Sequence, residues 1–146
     1  DPTNRPTTPV SIFSGQYQPD FQSVGVYDYS KKQVCFLSTD LSSIECYSRK
    51  KPGKTSSITL NWNGIPSGNV NPYALGYTGV SGYDFVCLDY INRKMVFFNR
   101  SGGQTATVNV PEDAPVYDWF AFSFTNEHAF FFDKDLRTWT GFMVVC

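Results

Sequence analysis

Phe85-Val86-Cys87-Leu88-Asp89-Tyr90-Ile91-Asn92-Arg93-Lys94-Met95-Val96-Phe97-Phe98 decides the fold class. Two short apolar runs flank a cluster of Asn, Arg and Lys, which reads as strand, turn, strand. Asp89 ends the first run. Its carboxylate can accept a hydrogen bond from the backbone two residues on and so close the turn. The arrangement recurs twice. Val24 to Tyr29 turns at Ser30-Lys31-Lys32 and returns as Gln33 to Leu37. Phe130 to Phe132 turns at Asp133-Lys134-Asp135 and returns through Trp139 to Val145. In all three an aspartate (Asp28, Asp89, Asp133) is followed within the turn by a basic residue (Lys31 or Lys32, Arg93, Lys134 or Arg137). The aspartates are 61 and 44 residues apart, too unequal for a strict solenoid or propeller repeat.

The rest of the chain keeps this period. Runs rich in Val, Phe, Tyr and Thr fall near residues 10–17, 22–29, 33–38, 43–48, 56–62, 73–78, 83–90, 94–99, 104–110, 116–124, 128–132 and 137–145. No window carries an i, i+3, i+4 apolar stripe long enough for a helix. Among 146 residues there are 13 Phe, 9 Tyr, 3 Trp and 13 Val, against 6 Leu and 3 Glu, a balance that suits strands. The expected fold is all-β, an antiparallel β-sandwich or barrel of about ten to twelve short strands with little or no helix. Residues 1–9 read as a Pro/Thr-rich N-terminal extension, suited to a processed terminus, and residues 10–146 as one domain.

Twelve Lys and Arg balance thirteen Asp and Glu, so no electrostatic footprint for nucleic acid exists. Apolar runs are only a few residues long, and membrane insertion is not expected. Four cysteines, none in a C-x-x-C pair, together with a single histidine argue for two disulfides and a secreted setting rather than a zinc site. The plain alternative is four buried thiols. If Thr39 to Ser42 is a four-residue loop, Leu37 faces Ile44 and Cys35 faces Cys46. That pairs Cys35 with Cys46 and leaves Cys87 for Cys146. Asn99-Arg100-Ser101 is the one glycosylation sequon.

Signs of catalysis are few. The chain has no G-x-S-x-G, H-E-x-x-H, P-loop or G-x-G-x-x-G pattern. His128, the sole histidine, reads as a turn or strand-edge residue. Glu45, Glu112, Glu127 and ten aspartates offer carboxylates, but no spacing selects a pair for glycoside hydrolysis. Asp133, Asp135 and Asp118 lack the rest of a calcium loop. No catalytic residue, metal or cofactor is therefore assigned.

Two stretches suggest binding. Arg49, Lys50, Lys51 and Lys54 surround Pro52-Gly53 and form a basic hairpin tip. It suits an anion such as a sulfated glycan, or equally a solvated edge-protecting turn. Asn61 to Tyr73 is long, rich in Gly, Pro and Asn, and carries Trp62, Asn63, Asn69, Asn71 and Tyr73. Aromatic rings stack on the CH face of a sugar and amides bond its hydroxyls. The same residue types also make protein-binding loops. Phe120, Phe122 and Phe124 alternate onto one strand face. With Phe130, Phe132 and Phe142 they read as an aromatic core, or as the lining of an apolar cavity. The expected function is a secreted, non-enzymatic recognition module for a glycan or an extracellular protein surface. A β-barrel carrier of a small apolar ligand and a carboxylate-dependent glycoside hydrolase are the alternatives.

Overall fold

A computed structural model describes residues 25–38, 40–50, 54–64, 73–116 and 122–144. The expected extension 1–9 and the strand near 10–17 lie outside them. The described residues form eleven strands and no helix. β1 (Val26–Asp28), β2 (Gln33–Leu37), β3 (Ser43–Ser48) and β4 (Lys54–Thr59) make the first sheet. β5 (Tyr73–Tyr77), β6 (Phe85–Asp89), β7 (Lys94–Phe98) and β8 (Gln104–Asn109) make the second, and β9 (Phe122–Thr125), β10 (His128–Asp133) and β11 (Thr138–Met143) the third. Each is an antiparallel meander of neighbouring strands. The all-β expectation holds, but the sheets do not close into a barrel.

Three stacked sheets explain the sequence patterns. β2 alternates buried and half-buried residues, as a strand covered on one face does. β6 is buried at every position, because the second sheet is covered on both faces. Its Cys87, with Leu75, Tyr77, Val96 and Phe98, packs against Cys35, Leu37, Ile44 and Cys46 of the first sheet. Its Val86 and Leu88, with Ala74, Met95 and Phe97, pack against Phe124, Ala129 and Phe131 of the third. The Phe130-Phe131-Phe132 run could not reveal its own parity. Register settles it, since Phe131 faces Phe122 and Ala129 faces Phe124. Phe131, not the expected Phe130 and Phe132, therefore fills the core.

The first strands of the three sheets come together, with β5 in contact with both β1 and β9, and the first two sheets meet again where the Asn61 N–H donates to Gly102 O. The three aspartate turns are alike. Asp28 Oδ1 accepts from the Ser30 and Lys31 N–H groups, Asp89 Oδ1 from Asn92, and Asp133 Oδ1 from Asp135 and Leu136. Four positions after each aspartate stands a basic residue with positive φ: Lys32 (53°), Arg93 (53°) and Arg137 (56°). Their spacing is uneven because Asp28 ends the first strand of its sheet, whereas Asp89 and Asp133 end the second of theirs.

No strand of the first sheet pairs with one of the second, yet a buried ion pair joins them. Asp28, fully buried at the end of β1, takes a bidentate pair from Arg100 in the β7–β8 turn, at 2.8 and 3.1 Å. Arg100 also donates to Ser30 Oγ and Tyr77 Oη and pairs through Nε with Asp84. Its guanidinium lies 5.5 Å from the Tyr77 ring centre. Burial alone would raise the Asp28 pKa. Hydrogen bonds from Arg100, Ser30, the Lys31 N–H and Gln33 outweigh it and hold the carboxyl well below its ordinary range.

Cys35 lies directly opposite Cys46 and is bridged to it, as the register predicts. The expected Cys87–Cys146 bridge is corrected. Cys87 is a free, fully buried thiol facing the first sheet, and burial pushes its pKa far up. Val144, close to Cys146 in sequence, packs on the opposite side of the second sheet. Cys146 itself lies outside the described residues.

Three outcomes follow from these contacts. Arg100→Met strands Asp28 in the interior and should destabilise the fold by about 3 kcal/mol in urea unfolding. Because the folded pKa of Asp28 is depressed, its contribution is complete above the ordinary value of 3.8 and is lost as pH falls below it. Asp28→Asn should flatten that acid limb, and an unchanged acid transition would refute the assignment. In a non-reducing peptide map of the native protein, Cys35 and Cys46 should appear joined, and Cys87 should be alkylated only after denaturant is added.

Candidate functional site

The converging first strands leave a cleft of about 270 Å³ between them. It is walled by Gly25, by Val26 and Tyr27 of β1, by Ala74 to Tyr77 of β5 and by Phe122 to Phe124 of β9. Gly76 lets β5 and β9 meet, since a Cβ there would fall 2.8 Å from Val86 and 3.0 Å from Phe124 Cβ. Beside Tyr77 a second, more polar hollow of about 350 Å³ is lined by Tyr29, Thr78, Gly79, Thr125, Asn126 and Glu127. This hollow, the mouth, shares Tyr77 with the cleft.

Each rim residue is placed by local chemistry. Tyr29 follows Asp28 into the β1–β2 turn, is 61% exposed, and stands edge-on to Tyr77 at 5.1 Å. Its hydroxyl lies where a Cβ on Gly79 would be, so only glycine, here at φ 74°, fits beneath it. Thr78 is fixed through its hydroxyl, which donates to Tyr83 O. Asn126 and Glu127 are the two central residues of the β9–β10 hairpin turn, at φ 49° and 62°. Two left-handed residues suit a turn of the type that favours Asn-Gly. Asn126 meets that preference. Glu127 does not, and holds a conformation that costs an L-residue about 1–2 kcal/mol.

Of the residues expected to bind, Trp62 and Asn63 do not line the mouth. Trp62 is half-buried against the core, edge-on to Phe98 at 4.6 Å, with its Nε1–H donated to Leu41 O at 2.6 Å. Its ring thus has a structural role. Asn63 is exposed, and its N–H is received by Gln104 Oε1. Asn69 and Asn71 lie outside the described residues, and Tyr73 opens β5. The basic tip is at the outer edge of the first sheet, two strands from β1. Arg49 and Lys50 are exposed there, Lys54 opens β4, and Lys51 lies outside the described residues. Asn99 is half-buried, with its side-chain carbonyl accepting from the Ser101 and Gly103 N–H groups.

Among the described residues the carboxylates are dispersed around the fold. Asp28 and Asp84 share Arg100, which holds Asp28 ionised and unable to act as a general acid. Glu45 accepts from Ser43 and Ser57 on the first sheet, and Glu112 lies in the loop after β8. Among the described residues lining the mouth, Glu127 is the sole carboxylate. His128 Nδ1 lies 2.6 Å from Asn126 O in the same turn, a hairpin-edge position.

The mouth escaped sequence reasoning because its residues come from three turns. One local signal was present: Asn126-Glu127 between two strands, where Asn-Gly would be usual. Compared with protein-family models and with curated proteins, the chain has no match. Trp62→Ala should lower stability by about 2 kcal/mol in urea through lost packing and a vacated carbonyl at Leu41. If the variant unfolds like the wild type, Trp62 is not a packing residue.

Proposed function

We propose that this protein is a secreted, non-enzymatic recognition module that binds a glycan at the mouth beside the cleft. The observation that carries the reading is the exposed Tyr29 ring set in one hollow with Glu127, the sole carboxylate among the described residues that line it. The mouth offers what a sugar needs. The exposed Tyr29 ring supplies a face for CH groups. The Asn126 amide, the Thr125 hydroxyl and the Glu127 carboxylate supply donors and acceptors for hydroxyls. Among the described residues of the mouth Glu127 is the sole carboxylate, whereas glycoside hydrolysis uses a pair, so the reading is binding. The Cys35–Cys46 bridge is consistent with an extracellular setting. Among the described residues no helix is long and apolar enough to cross a membrane.

Two variants separate binding from folding. The wild type should retain a subset of oligosaccharides on a glycan array. Tyr29→Ala should weaken the best of these roughly tenfold, the loss of one stacking contact. Glu127→Gly should lose binding while gaining a few tenths to about 1 kcal/mol of stability, since it relieves the turn. An array with no retained glycan, or a Glu127→Gly protein that binds as the wild type does, would reject the reading.

A further inference from the structure

Among the described residues the third sheet is one strand short of its neighbours. In the first two sheets a fourth strand, β4 or β8, covers the third, whereas β11 ends its sheet and no described strand pairs its other edge. Other edges are managed. β1, β5 and β9 turn toward one another at the cleft. β4 (Lys-Thr-Ser-Ser-Ile-Thr) and β8 (Gln-Thr-Ala-Thr-Val-Asn) are polar, which discourages pairing. β11, Thr-Trp-Thr-Gly-Phe-Met, has no charge and no proline, and it exposes Trp139 (55%) and Met143 (68%).

The edge is also complementary to itself. The Val144 N–H donates to Glu127 O, so Phe142, Thr140 and Thr138, on the same parity, turn their N–H groups to β10. Met143, Gly141 and Trp139 turn theirs outward. An antiparallel copy centred on Gly141 would set those outward groups against their own equivalents and place Trp139 opposite the partner's Met143 on both sides of the centre. A thioether beside an indole is a favourable cross-strand contact. Phe130 lies over Gly141, where a Cβ would come within 2.6 Å of its ring, and so keeps the centre free of a side chain.

We propose that β11 pairs antiparallel with β11 of a second copy of this chain, through Gly141, joining the two third sheets into one continuous sheet. The two-fold arrangement is closed, uses the same surface on both copies and leaves no further edge for growth at β11. A foreign extended peptide could add to the same edge, but only a second copy meets Trp139 with Met143 twice.

Light scattering after gel filtration tests this on the full chain. At roughly 100 μM the wild type should show twice the 16.5 kDa of one chain. Met143→Pro removes an outward N–H that no described strand uses, and should give a folded monomer. Trp139→Lys, which leaves the backbone alone, should do the same and serves if the proline variant does not fold. The register is tested by Trp139→Cys combined with Met143→Cys. Four residues apart on one strand, roughly 13 Å, these cannot bridge within a chain. On mild oxidation they should give a covalent dimer that the wild type does not. A monomeric wild type, a dimer unaffected by both Met143→Pro and Trp139→Lys, or no added cross-link from the paired cysteines would overturn the proposal.

Discussion

The bidentate contact between Arg100 and Asp28 is the constraint from which the arrangement of the first two sheets follows. Apolar burial favours stacking them but is indifferent to small slides and rotations. A planar guanidinium with fixed donor directions is not. By engaging Asp28, Ser30, Tyr77 and Asp84 together, Arg100 fixes the end of β1 against the end of β5 and the approach to β6. Tyr29 and Tyr77 meet edge-on beside it. The cleft and the mouth beside it are thus set by a polar contact, and the apolar layers supply the bulk of the stabilisation around it.

What the chain disclosed directly was local. The three aspartate turns, the Cys35–Cys46 register and the strand at Phe85–Asp89 each depend on residues a few positions apart or on one ladder. What stayed hidden depended on distance or on parity. Asp28 and Arg100 are 72 residues apart, and nothing near Arg100 marks it as buried. Phe130, Phe131 and Phe132 are alike, so only the pairing of Phe131 with Phe122 selects the inward one. Cys87 was assigned a partner by elimination, and elimination ignores that a thiol can simply be core. Trp62 looked like a loop aromatic because its neighbours are Asn and Gly, whereas its contacts, Phe98 and Leu41, are remote in sequence.

The third sheet carries the two surface features of greatest interest. β9 and its turn to β10 form one wall of the mouth, and β11 lies on the other side of β10. Pairing through β11 would set two mouths on one particle. Two weak sites held at a fixed separation gain avidity toward a repetitive ligand without any new contact, provided the ligand can span them. Repeating sugar chains are ligands of that kind.

The disulfide also bears on how the chain reaches this fold. Cys35 and Cys46 sit in one hairpin, 11 residues apart, while Cys87 comes one meander later in the chain and packs under the first sheet. Loop-closure entropy favours the short encounter, and short loops close on the order of 100 ns or faster. The correct partners therefore meet first. Once they are bridged, Cys87 can be enclosed without competing for either, so the topology itself acts as a proofreading order for oxidation.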